Sequence, residues 1–125
     1  MSVLTVAACA VTPQPPPSDA ALRKASNVEL CQTYARAKSP YAPAWQAAAR
    51  NELIRRGAVT KQDQADWSKG LVRIGMAEHI AVCSWGPYVD VNSTTGSWGT
   101  HRQYVIGQFG PYVYTENGVV TSFQN

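Results

Sequence analysis

Hydrophobic residues in the first half of the chain recur with helical spacing. Leu30, Cys31, Tyr34 and Ala35 fall on one face of a helix. The segment Ser26-Asn27-Val28-Glu29 before them has the pattern of a capping box, in which a serine and a glutamate satisfy each other's backbone amides. The pattern predicts a helix that begins just after residue 26.

Prolines bound the next predicted helix. Ser39-Pro40 ends the first helix, because the residue before proline avoids the α region, and Pro43 suits the first turn of a second one. The second helix stops at Gly57. Its apolar face consists of Trp45, Ala48, Ala49, Leu53 and Ile54. The spacing predicts an αα-hairpin, followed by a short helical turn that Thr60 caps, with Asp63 three residues later, and that Trp67 anchors.

After Gly70 the pattern changes to that of a mixed structure. An extended-looking segment, 71–74, precedes one more helix, which is marked by Met76, Ile80 and Cys83 and ended by Gly86-Pro87. Downstream, β-branched and aromatic residues dominate and predict strands over 88–91, 104–106, 112–115 and 119–123.

Two connections between these strands have distinct compositions. Residues 92–100 predict a polar loop, and Asn117-Gly118 predicts a tight hairpin because both positions tolerate positive φ. The predicted class is α+β, with an N-terminal helical hairpin packed on a small three- or four-stranded antiparallel sheet.

The length of 125 residues allows one domain, which we place at 26–125, with a helical part over 26–70 and a mixed part over 71–125. The net charge of +3 is uneven: residues 20–75 carry ten Lys or Arg against four acidic residues. Such a face suits anionic lipid headgroups or an acidic partner, although solvated helix surfaces are the simpler interpretation. The basic residues are dispersed and no recognition motif accompanies them, so nucleic acid is not a predicted partner.

The N-terminus carries a lipid-anchor pattern. Val6-Ala7-Ala8-Cys9 resembles the lipobox of bacterial lipoproteins. The resemblance implies that Cys9 is acylated, that the leader 1–8 is removed, and that Ala10 directs sorting to the outer membrane. The alternatives are a start further upstream, because the leader lacks Lys and Arg, or a cysteine present by chance.

A proline-rich stretch follows this cysteine. Proline lacks an amide donor and fixes φ, so the segment Thr12 to Ser18 predicts polyproline II. We therefore predict a tether over residues 9–25 that holds the domain up to about 50 Å from a membrane. The alternative is a leader in which the prolines are incidental.

Two cysteines remain, Cys31 and Cys83, both on predicted apolar helix faces. In an oxidising periplasm such a pair forms a disulfide, which would contribute about 4 kcal/mol by constraining the unfolded chain. Two buried free thiols are the alternative.

Metal and catalytic chemistry use some of the same residues. His79 and Cys83 lie four apart on a predicted helix, a spacing that suits two metal ligands or a Cys–His nucleophile pair. Cys31 and His101 are the candidate third and fourth metal ligands. A surface His79 and a disulfide explain these residues with fewer assumptions. The sequence shows no paired carboxylates and no P-loop, so we predict no metal, no cofactor and no enzymatic activity.

The candidate partner-binding residues are Trp98, Arg55 and Arg56. Trp98 lies among glycine and serine in the predicted loop, where an exposed tryptophan is a common hot-spot anchor. The alternative is that Trp98 folds back to cover a sheet edge. The two arginines follow the apolar face of the second helix and belong to the basic half.

Residues 70–125 resemble the SmpA/OmlA family, which includes the small lipoprotein of the outer-membrane β-barrel assembly machine. The matching segments are Ile74-Gly75-Met76, Trp85-Gly86-Pro87, Gln103-Tyr104 and Tyr114 through Asn117-Gly118-Val119-Val120. The resemblance implies helices packed on one face of a small antiparallel sheet.

These observations together predict a lipoprotein anchored at the periplasmic face of the outer membrane. Its expected role is that of a protein-binding accessory factor in envelope assembly or integrity, with an envelope protein as partner and a lipid anchor as the membrane contact. The alternatives are a phage or prophage lipoprotein that engages an envelope receptor, and an inhibitor-like module that binds a periplasmic enzyme.

Overall fold

The computed structural model describes residues 15–37 and 42–125, and in them helices precede a sheet along the chain. The helices are α1 Asp19–Lys24, α2 Asn27–Arg36, α3 Pro43–Arg55, α4 Lys61–Ser68 and α5 Glu78–Trp85. The strands are β1 Asp90–Gly96, β2 Gly99–Val105, β3 Tyr112–Glu116 and β4 Val119–Gln124. Each strand pairs antiparallel with the next, in the order β1-β2-β3-β4. The predicted α+β class with a small antiparallel sheet is confirmed.

Helix α5 contacts both the helical hairpin and the sheet. The hairpin of α2 and α3 packs on α5 through α2, and α5 in turn contacts β4. The core is continuous across this junction, because buried residues come from both helices and strands. Its most deeply buried apolar side chains are Leu30, Leu53, Ile80, Val82, Val113 and Val120.

The predicted helix starts are confirmed by their caps. The Ser26 hydroxyl accepts from the Glu29 amide at 3.0 Å and the Glu29 carboxylate accepts from the Ser26 amide at 2.9 Å. Thr60 and Asp63 form the same reciprocal pair at 3.0 Å each, and Pro43 opens α3. The predicted stop at Ser39-Pro40 lies outside the described residues.

The predicted tether over 9–25 is too long at its C-terminal end. Residues 19–24 form α1, which the Ser18 hydroxyl caps by accepting from the Ala21 amide at 3.2 Å. Leu22 on this helix is buried. Helix α1 forms because the proline-rich stretch ends at Pro17 and because the alanine, leucine and basic residues after it are strong helix formers. The folded domain therefore begins near residue 18 and not at residue 26.

The loop predicted over 92–100 is also wrong. These residues form most of β1 and the start of β2, with Thr94 opposite His101 and Gly96 opposite Gly99. β1 begins at Asp90, and the predicted strand start at Tyr88 lies before it. The serine and threonine side chains lie on both faces of this hairpin. Its sequence therefore lacks the alternation of polar and apolar residues that predicts a strand.

The segment 71–74, predicted to look extended, belongs to no strand of the sheet: residues 71–73 have no regular secondary structure, and Ile74 begins a turn. Ile74 is 69% exposed, and pairing with the sheet begins only at Gly75, whose amide donates to the Val120 carbonyl at 2.8 Å. Met76, predicted within the following helix, precedes α5, and its carbonyl accepts from the Val120 amide at 2.9 Å.

Ile54, predicted on the apolar face of α3, is exposed.

Glu78 connects the first turn of α5 to the sheet. Its carboxylate accepts from the Thr115 hydroxyl at 2.9 Å and from the Arg102 guanidinium at 2.7 Å. Its backbone amide donates to the Gly118 carbonyl at 2.8 Å. Burial, and next the Glu78 carboxylate, raise the pKa of the Tyr104 phenol above its ordinary value. A buried acid is tolerated here because both of its oxygens are paired.

The predicted hairpin at Asn117-Gly118 is confirmed, with φ of 51° and 83° at the two residues. The Asn117 side chain also accepts from the Thr100 amide at 2.9 Å, and its backbone amide donates to the Thr100 carbonyl at 2.8 Å. The turn between β3 and β4 is thereby fixed to the neighbouring β2.

Candidate functional site

The two faces of the sheet differ. Residues of β2 to β4 that point toward the helices are buried, as Tyr104, Val113, Thr115 and Val120 show. Alternate residues point to the opposite face, which no described helix covers. We call this opposite face the open face. By the register it comprises Asp90, Asn92, Thr94, His101, Gln103, Val105, Tyr112, Tyr114, Glu116, Val119, Ser122 and Gln124.

Hydrogen bonds between side chains cross the open face through all four strands. The Asn92 amide group donates to Gln103 Oε1 at 3.1 Å, and Gln103 Nε2 donates to the Tyr114 hydroxyl at 3.4 Å. The Tyr114 hydroxyl then donates to Gln124 Oε1 at 3.0 Å. Because each side chain is held by its neighbour, the centre of the face presents polar groups in fixed positions.

An imidazole borders this row. The His101 ring stacks near the Tyr114 ring, with centroids 6.4 Å apart and 24° between their planes. His101 Nδ1 lies 3.8 Å from Glu116 Oε1, and the two side chains are 42% and 61% exposed. The separation exceeds a hydrogen bond, so this pair contributes little to stability and leaves both groups accessible to a ligand.

Two tyrosines pack on the helix side of the sheet: Tyr104, which is buried in β2, and Tyr88, which is half-buried and precedes β1. Tyr104 and Tyr88 pack edge to face with ring centroids 5.1 Å apart. Tyr112 and Tyr114 alternate with the buried Val113 and so lie on the open face. The sequence alone does not separate these pairs, because all four tyrosines fall in β-type segments.

Trp98 lies in the turn between β1 and β2 and is 61% exposed. Its indole lies against the backbone of Gly96, where an added Cβ would approach the ring to 2.9 Å. The ring therefore folds back onto its own hairpin and still leaves most of its surface to solvent. Partner binding by Trp98 stays a prediction.

Arg55 and Arg56 share one carboxylate. Glu52 accepts from Arg55 at 2.6 and 2.8 Å and from Arg56 at 2.8 and 3.1 Å. These hydrogen bonds, from Arg55 first and Arg56 second, lower the pKa of Glu52 to about 2.

The two arginines differ in their other contacts. Arg56 also donates to the carbonyls of Leu22 and Ala25 at 2.9 Å each and to the Asn27 side chain at 3.1 Å. Arg56 thus holds α1 and the start of α2 against α3. Arg55 remains 54% exposed. Contact of either arginine with a partner stays a prediction.

Arg55 lines a shallow groove between the N-terminal segment and α3. Its volume is about 290 Å³. The lining residues are Pro16, Pro17, Asp19, Leu22, Arg23, Ala48, Asn51, Glu52 and Arg55. Two acids and two arginines balance each other there, so the groove favours neither anions nor cations.

The sulfurs of Cys31 and Cys83 form a disulfide that joins α2 to α5, and neither residue is exposed. A thiolate ligand or nucleophile requires a free sulfur, which neither cysteine has in this state. His79 Nε2 lies 2.8 Å from the Ala58 carbonyl. Within the described ranges, no three His, Cys, Asp or Glu side chains are grouped so that they could hold a metal ion.

The predicted lipidation site, Cys9, lies outside the described residues. None of the described helices is both long and apolar enough to cross a bilayer. The acylation of Cys9 stays a prediction.

Comparison with protein-family models, with curated proteins and with solved structures gave no match to this chain. The resemblance of residues 70–125 to the SmpA/OmlA family therefore stays a prediction. The observed class, helices against one face of a small antiparallel sheet, is the one that the resemblance implies.

Proposed function

We propose that this chain is a lipoprotein anchored at the periplasmic face of the outer membrane, and that its domain binds another envelope protein without catalysis. The observation that carries the proposal is the fully buried disulfide between Cys31 and Cys83. Structural disulfides persist in oxidising compartments and are rare in the cytosol. The role that fits is an accessory factor in envelope assembly or integrity.

The lipobox-like Val6-Ala7-Ala8-Cys9 supports the anchor. The folded domain begins at Ser18, nine positions after Cys9. Nine residues reach at most about 32 Å, so an acylated Cys9 keeps the domain closer to the membrane than a tether extending to residue 25 would. The resemblance to SmpA/OmlA lipoproteins supports the same compartment.

The open face supports binding as the activity. The row from Asn92 through Gln103 and Tyr114 to Gln124 is fixed by hydrogen bonds before any partner arrives. Tyrosine side chains give a large contact area at low cost in conformational entropy. Fixed polar groups around two tyrosines are typical of protein-binding surfaces.

Site-specific photo-crosslinking in cells that express the full chain tests this proposal. A photoreactive phenylalanine analogue replaces Tyr114 on the open face, and the control variant carries it at Ser68, an exposed position on α4. We expect a discrete adduct with one envelope protein from position 114 that is absent from position 68. Equal adducts from both positions, or adducts with cytosolic proteins only, contradict the proposal.

An inhibitor-like module is a second candidate. The observation that favours it is the placement of Tyr112 and Tyr114 on an uncovered sheet face. If an adduct from position 114 contains a periplasmic hydrolase whose activity the purified chain lowers, the inhibitor function replaces the accessory one.

A further inference from the structure

The two outer edges of the sheet differ in how their backbone groups are paired. The beginning of the outer edge of β4 is paired with the segment before α5, through hydrogen bonds of the Val120 amide and carbonyl and of the Gly118 carbonyl. Among the described residues, none pairs with the outer edge of β1. β1 also contains no lysine and no proline, which are common means of protecting an edge strand.

The register identifies the backbone groups that face away from β2. Thr100 and Ile106 pair with β3 through backbone hydrogen bonds, so the alternate residues 101, 103 and 105 of β2 face β1. Their partners in β1 are residues 94, 92 and 90. The N–H and C=O groups of Val91, Ser93 and Thr95 are therefore directed outward. In agreement, the Val91 amide donates to the Asp90 side chain at 2.8 Å, a hydrogen bond that pairing with another strand replaces.

We propose that a second copy of this chain pairs with β1 in antiparallel orientation, with Ser93 at the twofold axis. The three outward residues are symmetric about Ser93. Val91 then lies opposite Thr95 of the second copy, and Ser93 lies opposite Ser93. Since each such pair exchanges two hydrogen bonds, this register forms about six, the largest number that the edge allows. The two sheets join into one of eight strands.

Charge and apolar surface agree with this arrangement. Antiparallel pairing places Asp90 opposite Gly96 of the second copy, so the two carboxylates lie at opposite ends of the interface. It also places Val89 next to the turn that carries Trp98. These two side chains, 69% and 61% exposed, cover each other at both ends of the interface.

The inference is independent of the proposed function, because the pairing uses the edge of β1 and leaves the open face of each copy uncovered. It assigns Trp98 to contact between copies instead of contact with another protein. The short interface predicts a weak dimer.

Cysteine crosslinking tests the twofold register. Ser93→Cys is introduced into the full chain with Cys9→Ser, so that the introduced thiol is the one cysteine outside the Cys31–Cys83 disulfide. The matched control is Ser122→Cys, an exposed serine on β4. We expect Ser93→Cys to form a disulfide-linked dimer under mild oxidation at least about ten times faster than the control, since paired Cα atoms of such strands lie within disulfide range. Equal rates contradict the proposal.

Sedimentation of the unaltered chain and of Ser93→Pro gives an independent test. Proline removes the outward N–H of residue 93 but none of the hydrogen bonds to β2, so the sheet is retained. We expect a monomer–dimer equilibrium for the unaltered chain and a dissociation constant raised at least about tenfold by Ser93→Pro. A monomer at every concentration, or a dimer that a folded Ser93→Pro leaves unchanged, overturns the proposal. If Ser93→Pro does not fold, the crosslinking rates decide.

Discussion

The polar groups of the helical half and those of the outer part of the sheet make different kinds of contact. In the helical half, polar groups are occupied in holding elements together: Arg56 joins three helices, two capping boxes close helix starts, and a buried disulfide connects α2 to α5. On the open face and along β1, polar groups contact only their sheet neighbours or solvent. The difference indicates a rigid scaffold whose free surface is not required for folding.

The largest expected effect comes from removing the disulfide. Cys31→Ala with Cys83→Ala releases a constraint between residues 52 positions apart. We expect the free energy of unfolding to fall by about 4 kcal/mol, measured by denaturant titration. The control is a reductant, which should destabilise the native chain and leave the double variant unchanged. A loss below about 1 kcal/mol would mean that the helical half does not depend on the disulfide.

The second-largest expected loss of stability comes from neutralising the buried carboxylate of Glu78, compared with the exposed carboxylate of Glu116. Glu78→Gln removes the charged partner of Arg102 and disturbs the hydrogen bond from Thr115. We expect a loss of about 1–3 kcal/mol in thermal or denaturant unfolding. Glu116→Gln is the matched control on the open face and should change stability by less than about 0.5 kcal/mol. Similar losses for both variants would contradict the difference between the two faces.

A third prediction concerns pH. The pKa of Glu52 is lowered to about 2 in the folded chain, below its ordinary value of 4.5, by its hydrogen bonds with Arg55 and Arg56. The resulting stability is fully present above pH 4.5 and is lost as the pH falls through about 2. The stability difference between the native chain and Glu52→Gln should therefore shrink between about pH 5 and pH 2. A difference that stays constant over this interval would mean that Glu52 is not paired in solution.

The smallest effect belongs to the open face. Tyr114→Phe removes the hydroxyl between Gln103 and Gln124 and keeps the ring. Because the hydroxyl lies on the open face, we expect a stability change below about 1 kcal/mol, measured by denaturant titration. A large loss of stability would show that this row of hydrogen bonds supports the fold.

Local chemistry explains which features the sequence predicts correctly. The capping boxes at Ser26 and Thr60 and the hairpin at Asn117 each depend on residues within four positions of one another. The pairing of Cys31 with Cys83 follows from their apolar faces and from the assumption of an oxidising compartment.

Features that depend on distant residues are missed. The strand over 92–96 gains its pairing from β2 and has no alternation of its own, so its serine and threonine residues resemble a loop. Glu78 is one acid among eight until the fold brings Arg102 and Thr115 to it. The alternation of His101 with Gln103 and of Tyr112 with Tyr114 was the one available indication of the open face.

We propose that this domain folds outside the cytosol, with Cys9 acylated and Cys31 joined to Cys83. The most direct test is the intact mass of the chain isolated from cells whose free thiols were alkylated at lysis. We expect a lipid-modified chain that starts at Cys9 and carries no alkyl group. An unmodified chain that starts at Met1 with three alkylated cysteines would contradict it.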